Sequence, residues 1–91
     1  MNNNLDITLA MLTTAAIARS TQKYMDDGII RLRAQNFMIN KLMCEWALLF
    51  NAKHPDKLKA GSEEFQEAID NFVYERFAEL SQNSPYHNLF N

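Results

Sequence analysis

Placed at 100° intervals, the apolar residues of this chain sort into three helical segments. The first covers about residues 6–25. Leu5, Leu9, Leu12 and Ala16 form one row along it, and Ile7, Met11, Ala15 and Ala18 form a second. Asp6, Thr13, Thr14, Ser20, Thr21 and Tyr24 fall on its polar side. The two rows together cover roughly 200° of the circumference, where a surface helix typically shows an apolar stripe of about 100° or more. The second segment covers about 28–53 and would be roughly 38 Å long at 1.5 Å per residue. Leu32, Ile39, Leu42, Met43, Trp46, Leu49 and Phe50 make its stronger face. Nearly opposite lie Ile30, Ala34, Phe37, Cys44 and Leu48, with Lys41 among them. The third segment, about 62–82, has a single stripe of Phe65, Ile69, Phe72, Val73, Phe77 and Leu80, and reads as an outer helix with one side against a core.

Local signals set the boundaries. Asp6 is suited to the positive end of the first helix. Asp26-Asp27-Gly28 interrupts: two acids are the wrong charge for a helix C-terminus and the right one for the next N-terminus, so Asp27 is expected to cap the second helix. Pro55 ends that helix, because the residue before proline avoids the helical region. Ser62 is an N-cap candidate with Glu63 and Glu64 in the first turn behind it. Asn83-Ser84-Pro85 stops the third helix and leaves a tail over 83–91 with Tyr86, Leu89 and Phe90.

The expected architecture is one all-α domain over 1–91, a three-helix bundle. An antiparallel hairpin of the first two helices would carry the third packed across it. The arithmetic of burial then creates a surplus. Covering one Leu- or Phe-sized side chain contributes about 1.5–3 kcal/mol, so leaving Ile30, Phe37 and Leu48 wet would forgo an amount comparable with a small domain's net stability. A helix apolar on two sides is covered on two sides. The expectation is therefore a homodimer or a foreign protein partner, docked on Ile7, Met11, Ile30, Phe37, Lys41, Cys44 and Leu48. The competing arrangement has the first helix and the tail wrap both sides of the second within one chain.

Composition narrows the function classes. At 91 residues and 47% hydrophobic, with a net charge of −2, the chain is too apolar for a disordered segment. Its single cysteine excludes an intramolecular disulfide framework and fits a reducing compartment, so the expected location is cytoplasmic. Two glycines and two prolines are few for a turn-rich all-β fold. Ile7–Ala18 is uncharged, but it lacks the basic start of a secretory signal. Its length also falls short of the roughly 20 apolar residues of a membrane span.

Charge is unevenly spread: −1 over 1–27, +4 over 28–60 and −5 over 61–91. Glu63, Glu64, Glu67, Asp70, Glu75 and Glu79 make the third helix an acidic face. It can pair with the basic second helix, or it can dock on a basic partner surface. Small phage proteins that disable host defence share this size and charge, an analogy of composition without a motif behind it. Arg31, Arg33, Lys53, Lys57 and Lys59 support the alternative of a nucleic-acid-associated protein, although the two clusters stand at opposite ends of the second helix.

Motifs for catalysis are missing. The chain has no Gly-rich phosphate loop, no GxSxG, no HExxH and no CxxC. His54 and His87 have no ligand-spaced partner, and no cofactor or metal is expected. Cys44 reads as a small hydrophobe, Trp46 as a core filler, and Arg76 as a residue whose stem lies along the core while its head reaches water. The resulting expectation is a non-enzymatic protein that acts by binding another protein, as an adaptor, chaperone or inhibitor.

Overall fold

The computed structural model describes residues 3–37, 41–53 and 61–83, excluding the side chains of 3–7, 34, 81 and 83. They are all-α. Helix α1 is Asn3–Asp26, α2 is Leu32–Phe37, α3 is Met43–Lys53 and α4 is Glu63–Asn83. No strand occurs among the described residues.

Helix α1 runs to Asp26, and its end closes through Asp27 on Gly28. That glycine has φ 77°, in the left-handed region where a side chain is strained. The Gly28 amide donates to the Met25 carbonyl (3.0 Å) and the Ile29 amide to the Tyr24 carbonyl (2.8 Å). These two bonds are the paired closure of a Schellman C-cap. Asp27 therefore belongs to the end of α1, which corrects the expectation that it caps the following helix. The glycine geometry outweighs the unfavourable charge of two acids at a helix C-terminus, an effect of only about 0.3–1 kcal/mol per group.

The cap also turns the chain back on α1. Residues 29–31 are not helical, α2 starts at Leu32, and a π-helical turn at 41–42 leads into α3. The expected single helix over 28–53 is thus replaced at its start by a bend and a short helix. Residues 38–40, where the two pieces would join, lie outside the described residues. The bend tucks Ile30 into the core at 4% exposure.

At the other boundary the expected signal operates. The Phe65 amide donates to Ser62 Oγ (3.1 Å) and the Gln66 amide to the Ser62 carbonyl (3.1 Å), so Ser62 caps α4.

Helices α3 and α4 share an aromatic seam. Met43, Trp46, Ala47 and Phe50 of α3 are buried, as are Phe65, Ile69, Phe72, Val73 and Phe77 of α4. Phe50 meets Phe65 and Phe72 edge-on, with ring centroids 5.7 and 5.5 Å apart. Trp46 meets Phe72 and Phe77 at 6.2 and 6.0 Å. Low numbers on one helix face high numbers on the other, so α3 and α4 run in opposite directions. Helix α1 runs with α4: Gln66 reaches Ala16 and Ser20, Asp70 reaches Ser20 and Lys23, and Phe77 packs on Tyr24.

The orientation of α1 departs from the hydropathy pattern. Its buried stripe is Thr13, Ala16, Ile17, Ser20, Thr21 and Tyr24, mostly the residues expected on the polar side. Thr13 and Thr21 satisfy their hydroxyls on the carbonyls one turn back, Leu9 and Ile17, both at 2.8 Å. A hydroxyl so bonded brings a small methyl-bearing side chain into the core without an unpaired polar group.

Candidate functional site

With the hydroxyl side turned inward, Met11, Leu12 and Ala15 of the apolar rows of α1 face outward. Met11 is 67% exposed and Leu12 45% exposed. On α3, Leu48 is 65% exposed and Cys44 is also exposed. Between the two helices runs a groove of about 550 Å³, lined by Ala10, Met11, Thr14, Ala15, Ala18, Met43 and Cys44. Among the described residues no charged side chain lines it. Its floor is made of small residues, because alanine and threonine at these positions leave room above α1. The Thr14 hydroxyl is bonded to the Ala10 carbonyl at 2.7 Å, so it brings no unpaired polar group to the groove.

Of the seven residues expected at an interface, Met11 and Cys44 come together in this groove, and Leu48 stands one turn along α3 from Cys44. Lys41 is exposed at the near end of α3. Phe37 is half-buried at the end of α2. The side chain of Ile7 lies outside the described residues. Ile30 is corrected: the bend after Gly28 places it in the chain's own core, so it cannot line an outer face.

A second region, the seam between α1 and α4, is polar. Ser20 Oγ donates to the Asp70 carboxylate, and Gln66 Nε2 lies 3.1 Å from Ser20 Oγ, Asp70 Oδ1 and the Ala16 carbonyl. Lys23 Nζ is 3.4 Å from Asp70 Oδ2, and the Tyr24 hydroxyl donates to the Asp70 carbonyl at 2.7 Å. Arg19 Nε donates to Gln66 Oε1 at 3.1 Å. Burial pushes the Tyr24 phenol above its ordinary value of 10.0, with further upward contributions from the charges of Asp70, Tyr74 and Asp27. Ser20 is 1% exposed, so its hydroxyl is turned to joining the two helices.

Asp70 is thereby removed from the acidic docking face, because its carboxylate is held by Ser20, Gln66 and Lys23. Glu63, Glu64, Glu67, Glu75 and Glu79 remain exposed on α4. Glu79 accepts from Arg76 at 3.1 Å. Arg76 lies with its guanidinium carbon 5.5 Å from the Phe72 ring centroid, and Lys53 Nζ approaches the same ring at 5.9 Å. Lys53 is therefore partly engaged by α4. Arg31 and Arg33 are exposed, while Lys57, Lys59, His54 and His87 lie outside the described residues.

Among the described residues, no group of three or more His, Cys, Asp or Glu side chains stands close enough to hold a metal ion. No helix there is long and apolar enough to cross a membrane. Comparison of the chain with family models, with curated proteins and with solved structures finds no match.

The buried hydroxyl row was the feature that hydropathy concealed. The exposed long polar residues carried the missing signal. Arg19, Gln22 and Asp26 are exposed and lie on one side of α1, and the buried Thr13, Ser20 and Thr21 lie on the other.

Proposed function

We propose that this chain is a non-enzymatic, cytoplasmic protein-binding module whose working surface is the outer α1–α3 face. The observation that supports this reading is the exposure of Met11 and Leu48, 67% and 65%, with Met11 lining a groove whose described lining residues carry no charge. The chain buries Thr13, Ser20 and Thr21 while these larger apolar side chains stay wet. Contiguous exposed apolar surface on a small protein marks an interaction site. A groove between two helices suits the apolar stripe of a third helix, the helix-in-groove mode of recognition. The exposed acids of α4 lie on a separate helix and would set orientation and partner choice by charge. In this role the protein is an adaptor, chaperone or inhibitor, engaged as a homodimer, with a foreign protein, or with both.

The test is a capture experiment with wild-type protein and the Met11→Glu variant as baits. The proposal expects bound protein, whether a second copy or another chain, to be lost with Met11→Glu while the variant's helical circular dichroism is unchanged. Equal recovery on both baits would refute the α1–α3 face as the working surface.

A further inference from the structure

We draw no further inference here: the strongest candidate, the apolar groove between α1 and α3 lined by Met11, Met43 and Cys44, belongs to the binding surface already described, and nothing in the structure shows what covers it.

Discussion

Helix α4 is held by two seams of opposite chemistry. Toward α3 it presents Phe65, Phe72 and Phe77 to Trp46 and Phe50, and the contacts are edge-on or tilted rings. Toward α1 it presents Gln66 and Asp70, hydrogen-bonded to Ser20, Lys23, Tyr24 and the Ala16 carbonyl, with Tyr74 and Phe77 edge-on against Tyr24 at the far end. The aromatic seam gains from apolar area and dispersion, which are largely indifferent to the exact angle. The polar seam gains little net energy per bond, about 0.5–1.5 kcal/mol, but leaving a buried partner unsatisfied costs more. One seam therefore supplies most of the stability and the other sets the register of α1 on α4. The division has a consequence for the outer surface: because α1 spends its hydroxyl side on α4, its Met11 and Leu12 side is left outward.

Substitutions in the two seams should separate these roles. The largest effect is expected for Phe50→Ala. Phe50 is 1% exposed and touches Phe65 and Phe72, so the change leaves a cavity in the aromatic seam. Chemical denaturation should show a loss of about 3–5 kcal/mol, a large part of a small domain's stability. A loss under about 1 kcal/mol would mean that the rings are not the main support.

Asp70→Ala should cost less, about 1–3 kcal/mol, chiefly by stranding the buried Ser20 hydroxyl without its acceptor, while Gln66 keeps the Ala16 carbonyl. The Tyr24 hydroxyl keeps its bond, since it uses the Asp70 backbone carbonyl. Pairing this variant with Ser20→Ala checks the network directly. The double variant should be less destabilised than the sum of the two single changes. Strict additivity would show that the two residues do not share a bond.

Tyr24→Phe is the mildest change in this series, about 1 kcal/mol at neutral pH from one hydrogen bond. Its signature is pH dependence. The phenol's folded value lies above its unfolded one, chiefly through burial. The folded state therefore favours the protonated form, and that contribution is fully present below the unfolded value of about 10 and is lost as pH rises through the folded value. Wild type should lose stability above about pH 10 more steeply than Tyr24→Phe. Identical slopes for the two proteins would show that Tyr24 is not held protonated by the fold.

Much of the aromatic seam was legible in the sequence. A stripe of large residues at helical spacing admits one side of burial, and Trp46, Phe50, Phe65, Ile69, Phe72 and Phe77 are buried. Ser62 was equally plain, because a serine before two glutamates has a local capping role that needs no tertiary information. The polar seam was not legible. Hydropathy scores Thr13, Ser20 and Thr21 as residues for water, whereas a hydroxyl bonded to its own helix carbonyl or to Asp70 is content inside. Gly28 misled for a related reason. Charge favoured a boundary before Asp26, but the left-handed glycine fixes it after Asp27, and the bend that results carries Ile30 from an expected interface into the core. On the site itself, pattern alone singled out Met11, Cys44 and Leu48 from opposite parts of the chain. It could not show that the first two share a groove, which depends on α1 turning its hydroxyls inward.

The central claim is that the outer α1–α3 face works as a binding surface and contributes little to the fold. Leu48→Glu tests it most directly, with thermal unfolding measured at a dilution where wild type is monomeric and association measured at high concentration. The account predicts a melting temperature within about 2 °C of wild type, as for a surface substitution, together with loss of the bound protein, whether a second copy or another chain. A variant that melts many degrees lower even when dilute, or that associates as tightly as wild type, would contradict it.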